Sequence, residues 1–251
     1  MIHFIRQLFR DKSTAAMLLI SSLIIGICAL APALFVIIVL NKYLTSGVTG
    51  TLVSLTFGAV LLLLFEFVFR QNRATIIQEF NEKIFIPVLK SFSDKFRQAG
   101  QLTAEQYKKF DGAGTLIKNA IKSSMTGWIL DFPFVLMFLV ALIYINWTAA
   151  LITAIFMIIM YVLTTQRVNF NLQQDSTANL EIFLTGLLTI TIIAVGSTQI
   201  IAGTLDIGLL IGSNILAARA LQGTNKFAKA KEFIEQRERA VKEIVDYVKS
   251  K

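Results

Sequence analysis

The stretch FPFVLMFLVALIYINWTAALITAIFMIIMYVLTTQ, residues Phe132–Gln166, runs for 35 residues without a single charge. A membrane-crossing helix takes roughly 20 apolar residues at about 1.5 Å each, so this block is long enough to cross a bilayer twice. Asn146-Trp147 divides it with a tight polar break and an interfacial aromatic. About 28 Å of helix separates Trp128 from Trp147, close to the hydrocarbon thickness. The pair reads as two aromatic belts flanking one span, against the plainer reading of two core aromatics.

Four further blocks are free of charge: Ser13–Asn41, Tyr43–Phe65, Ile182–Leu205 and Ile207–Ala218. Apolar residues make up 55% of the chain and charged ones only 16%, against about a quarter in soluble domains. The pattern predicts an all-α, polytopic membrane protein. Six spans are expected, near Ala15–Leu40, Thr49–Phe69, Ile129–Ile145, Thr148–Thr165, Ile182–Ala202 and Leu205–Leu221. The first is read as a retained span and not a signal peptide, because its apolar run is too long and no small-residue cleavage pattern follows it.

Lysine and arginine set the orientation. They crowd the N-terminal segment (Arg6, Arg10, Lys12), the segment 70–127 and the tail, whereas the opposite side has only Lys42 and the acid Asp206. Positive residues stay on the cytoplasmic side, so both termini are expected there. The net charge of +8 then reports topology and adhesion to the lipid bilayer, with no nucleic-acid partner required. The organisation expected is a cytoplasmic segment 1–14, a transmembrane domain 15–223 holding a helical cytoplasmic excursion 70–127, and an amphipathic cytoplasmic helix 224–251.

Within the excursion, Ile76, Ile77, Phe80 and Ile84 recur at helical spacing, and Pro87 marks a break or kink. Gly100 is a helix stop, Leu102–Phe110 a second helix, and Asp111-Gly112-Ala113-Gly114 a turn. In the tail, Phe227, Ile234 and Val241 form a stripe that Arg237 interrupts, so a single helix on a partner or on the membrane surface is expected in place of a long coiled coil.

No catalytic set, cofactor site or metal site emerges. Cys28 is the one cysteine and His3 the one histidine, which excludes a disulfide framework and a multi-cysteine metal site; a Ser-His or Cys-His arrangement would have to use His3, which reads as a solvated residue at the membrane surface. The phosphate-cradling pattern G-x-x-x-x-G-K-[ST] is absent. Glu66 is the one acid set well inside an apolar run. It reads as a local ion pair with Arg70, one turn on, ahead of a proton or substrate site. Gly208, Gly212, Ser213 and Ala217 clear one face of the last span for close helix contact, either within the chain or with a partner that Phe227, Ile234 and Val241 would also touch.

Three stretches carry a resemblance. LDIGLLIGSNILAARAL, residues 205–221, resembles the last membrane helix of the type I secretion ABC exporters. VLLLLFEFVFRQNR, residues 60–73, is similar to the end of that family's second helix, and WILDFPFVLMF, residues 128–138, to its third-helix entry. Their order and spacing match over about residues 12–225. The resemblance implies the six-helix transmembrane domain of ABC exporter type, in a bacterial inner membrane. It departs from the family in three ways. No nucleotide-binding domain follows the last helix, and the second cytoplasmic excursion shrinks to about Arg167–Glu181, which can reach about 22 Å and not out and back. A proline is also missing after Arg219, where Gln222-Gly223 stands.

Two functions follow as expectations. One is a degenerate exporter domain serving as a structural or regulatory subunit of an inner-membrane assembly, with membrane protein partners or as a homodimer. The alternative is the transmembrane subunit of a protein or peptide exporter working with a separate ATPase. An enzyme is not expected.

Overall fold

The computed structural model describes residues 12–43, 49–98, 111–112, 114–115, 117–119, 125–166 and 174–249. The longer of these segments hold seven α-helices: α1 Lys12–Cys28, α2 Ala31–Ile38, α3 Thr49–Gln98, α4 Gly127–Ile145, α5 Trp147–Gln166, α6 Gln174–Ile201 and α7 Ile207–Lys249. No strand occurs among the described residues.

Five stretches are long and apolar enough to cross a membrane: Ser13–Tyr43, Gly50–Ser91, Gly127–Ile145, Trp147–Gln166 and Ala178–Ile201. Their outward faces carry Phe57, Leu64, Ile158, Ile182 and Ile190, all well exposed. Such a coat is untenable in water and matches hydrocarbon. The expected sixth span falls on the first third of α7, which is helical but is not among the five. Asn214 and Arg219 lower its apolar character.

The first expected span is broken. Ala29 and Leu30 form a turn, Pro32 opens α2, and α2 runs into a π-helical turn at Val39–Tyr43. Pro32 lacks an N–H and is well suited to a first helical turn, in keeping with the split of the apolar run just ahead of it. Pro87, by contrast, ends nothing. It sits inside α3 on the exposed side, where the carbonyl left without a donor can find another partner. At 50 residues, α3 is about 75 Å long, more than twice the hydrocarbon thickness.

Asp111, Gly112, Gly114 and Thr115 have helical backbone, which corrects the expected turn; Gly100 and Leu102–Phe110 lie outside the described residues, as does His3. α6 starts at Gln174, well before Ile182, so only residues 167–173 separate it from α5. α7 continues through Gln222-Gly223 to Lys249 without a break, so the tail is the same helix and not a separate one.

Asn146 makes the sharp reversal between α4 and α5. Its Oδ1 accepts from the Thr148 N–H at 3.1 Å, the Thr148 hydroxyl at 2.7 Å and the Ala149 N–H at 3.2 Å, an Asn cap on α5. Its Nδ2 donates to Gln199 Oε1 at 3.0 Å, and Gln199 Nε2 donates to Thr148 Oγ1 at 2.8 Å. The α4–α5 turn is thus tied to the end of α6. Gly203, with φ of 71°, turns the chain from α6 into α7.

α7 is the central post. It packs on α2, α4, α5 and α6, and Leu216, Ala217, Ala220 and Leu221 are buried among Val135, Phe138, Leu142 and Leu188. A second, smaller cluster joins α1, α3 and the later part of α7 through Leu18, Ile77, Phe80 and Ile234. Trp128 and Trp147 stand at the two ends of α4, with Trp147 exposed.

Candidate charged site at one end of the bundle

The small residues of α7 mark where it lies closest to α2. A Cβ on Gly208 would collide with Asn41 Oδ1, and one on Gly212 would collide with the Ile37 side chain. Asn41 Oδ1 in turn accepts the Gly208 N–H at 3.1 Å. Ser213 and Ala217 are fully buried. The tail stripe is also used within the chain. Phe227 stacks on Phe132 with ring centres 4.1 Å apart, Ile234 is buried in the second cluster, and Val241 is half-buried. Of the two readings of this face, packing within the chain is the one seen: α2 lies against Gly208 and Gly212, α4 against Phe227, and α1 and α3 against Ile234.

Arg237 does not interrupt the seam but is buried in it, 4.8 Å over the ring of Phe85. Burial pushes its guanidinium pKa down to about 10, partly offset by Glu238. The π-face of Phe85 replaces part of the hydration that the cation loses.

The charged site itself lies where α1, α3, α4 and α7 meet. On α3, Glu66 and Arg70 face each other one helical turn apart. Arg70 donates to Glu66 Oε1 from Nε at 3.0 Å and from Nη2 at 2.8 Å. Arg219, from α7, approaches the same oxygen at 3.4 Å. Glu66 Oε2 is buried with no hydrogen-bond partner among the described residues.

A second pair completes the site. Arg73 donates both terminal nitrogens to the carboxylate of Asp131 on α4, Nη2 to Oδ2 at 2.8 Å and Nη1 to Oδ1. Arg73 Nη1 also donates to Ser22 Oγ on α1 at 2.9 Å. Arg70 Nη1 stands 4.0 Å from Asp131 Oδ2, which joins the two pairs. Guanidinium and carboxylate match as planar forks, so this contact fixes the rotation of α4 against α3 as well as their charge balance.

Sequence reasoning reached Glu66 and Arg70 but not the Arg73–Asp131–Ser22 link. One signal was available: Asp131 is the lone acid between Asp111 and Asp175 and opens an apolar block. A carboxylate so placed needs a cation.

Arg70, Asp131, Arg219, Gln222 and Lys226 wall a cavity of about 70 Å³, with Phe134, Val135 and Phe138 as its apolar side. Burial, then the nearby Arg70, pushes the Lys226 ammonium pKa down; Asp131 and Glu181 oppose this, and Arg219 adds to it. Next to Lys226 on α7, Asn225 donates to Glu181 Oε2 and accepts from Thr164 at 3.1 Å, and Lys229 reaches Glu181 at 3.4 Å. Lys231 Nζ donates to the Tyr161 hydroxyl at 3.0 Å, which raises its pKa. Cys28 is buried at the end of α1. Among the described residues no group of His, Cys, Asp and Glu is placed to hold a metal ion.

Compared with known proteins, the chain matches no family model and is significantly similar to no curated protein.

Proposed function

We propose that the chain is a degenerate membrane domain of ABC exporter type, acting as a structural or regulatory subunit of a bacterial inner-membrane assembly. In this reading the first third of α7 is the sixth crossing, and both ends of the chain are cytoplasmic. One observation carries the reading. The three stretches that resemble the exporters supply Glu66, Arg70 and Arg73, Asp131, and Arg219, and these meet in one ion-pair network. Stretches far apart in sequence resemble one family and converge on one contact, as a shared architecture requires.

Loss of transport is the second part of the proposal. Only residues 167–173 join α5 to α6, too few for the second coupling helix through which the family's membrane domains receive force from an ATPase. The cavity within the charged site, at about 70 Å³, holds a few waters or one small ion and not a peptide. A helical bundle of this kind, held by interlocked ion pairs, suits a scaffold that other membrane proteins dock on.

The test is isolation of the tagged full chain from its native membrane in mild detergent, with mass spectrometry of what accompanies it. Integral membrane proteins in fixed ratio without an ATPase are expected. A stoichiometric ATPase would favour the alternative, a transport subunit with a separately encoded motor.

A further inference from the structure

The charges around the cavity do not balance. Four cations, Arg70, Arg73, Arg219 and Lys226, stand against the carboxylates Glu66 and Asp131, with Glu181 acting on Lys226 from beyond the cavity wall. Three of these cations and one carboxylate line the cavity itself. Arg70, Arg73 and Arg219 each reach a carboxylate, whereas Lys226 has no hydrogen bond or ion pair to any described residue. The half-buried Lys226 ammonium faces two arginines, and Asp131 and Glu181 offset this only in part, so a further anion beside it would be favourable. The cavity has room for a tetrahedral oxyanion beside it.

The surroundings of the mouth identify the carrier of that oxyanion. Arg70 is the most exposed of the paired cations, and Phe67, one turn earlier on α3, is 66% exposed among other outward apolar side chains. On the opposite side Gln222 is shared with a shallow groove of about 620 Å³ along α6, walled by Ile182, Gly186 and Ile190. A headgroup seated in the cavity would therefore find surface for acyl chains on both sides. Basic pockets between membrane helices at the cytoplasmic side recognise anionic headgroups by this combination.

We propose that the cavity binds the phosphate group of an anionic phospholipid, with Lys226 and Arg219 as its donors and Arg70 at its mouth. The site is independent of the exporter resemblance.

The experiment uses the full chain, delipidated in mild detergent and titrated by native mass spectrometry with phosphatidylglycerol, with phosphatidylcholine, and with inorganic phosphate as competitor. Phosphatidylglycerol should bind, phosphatidylcholine should bind more weakly, and millimolar phosphate should fail to displace the lipid. Lys226→Gln should weaken phosphatidylglycerol about fivefold, Lys226→Arg should restore most of it, and Lys229→Gln, outside the cavity, should stay within about twofold. Lys226→Gln leaves no carboxylate without its partner, so it should fold. Gly186→Leu is a second probe, because a side chain there enters open space in the groove and should weaken the lipid without touching the cations. Equal binding of the two lipids, or displacement by phosphate, would overturn the proposal. So would Lys226→Gln and Gly186→Leu proteins that bind as the parent does.

Discussion

Replacing Asp131 with asparagine would probe the link that orients α4 against α3. The Arg73 side chain is 6% exposed and donates two of its nitrogens to Asp131, whose side chain is 22% exposed. In the Asp131→Asn protein the guanidinium keeps Ser22 Oγ, at 2.9 Å, and a neutral amide oxygen. Breaking a buried pair by removing one partner costs about 3–5 kcal/mol, because the remaining charge has lost its water. Partial exposure of Asp131 puts the loss near the lower end, about 3 kcal/mol, or on the order of 10 °C in midpoint for a chain of this size. The assay is thermal unfolding in detergent followed by far-ultraviolet circular dichroism. Arg73→Met combined with Asp131→Leu should recover much of the loss, since an apolar pair of similar volume leaves no stranded charge. A loss for Asp131→Asn below about 1 kcal/mol, the value of an exposed pair, would refute the reasoning.

Gly212→Leu should lower the unfolding midpoint while insertion, read by membrane fractionation, stays intact, because leucine inserts well and meets Ile37 of α2. Stability should rise with pH in the alkaline range up to the ordinary lysine value of 10.5. There the unfolded chain holds a proton on Lys226 that the folded chain has released, so the slope is positive, and pH-dependent unfolding of Lys226→Met should lack that rise. The pure chain, without partners, should neither bind nor turn over ATP in a filter-binding and phosphate-release assay, since no glycine-rich phosphate loop is present.

Helices were legible where physics acts locally, although their number and ends were not. The charge-free blocks marked six spans, five of which coincide with helices long and apolar enough to cross a membrane, and Asn146-Trp147 marked the α4–α5 reversal because an asparagine caps the helix that follows it. The Glu66–Arg70 pair was legible for the same reason, as its partners are neighbours on one helix face. Arg73 and Asp131 are 58 residues apart, and only the packing of α3 on α4 brings them together. Gly208 and Gly212 declared a face of close approach, but periodicity gives a face and not its neighbour; that α2 fills it depends on the turn at Ala29-Leu30. That turn was hidden inside an apolar run. At Pro87, read as a break or kink, no break occurs, because a proline on an exposed helix side can be carried within the helix. Arg237 shows a similar limit: whether a cation interrupts a seam or stacks within it depends on an aromatic, Phe85, from another helix.

The first third of α7 decides the architecture. Five crossings would leave the two ends of the chain on opposite sides of the membrane, and six would return them to the same side. Cysteines placed at Thr204, in the exposed turn between α6 and α7, and at Gln236, exposed on the later part of α7, can be challenged with a membrane-impermeant maleimide in intact spheroplasts. The account predicts labelling at Thr204 and protection at Gln236 until the membrane is opened. Labelling at Gln236 from outside, with Thr204 also accessible, would mean that α7 does not cross, and would contradict the six-span reading.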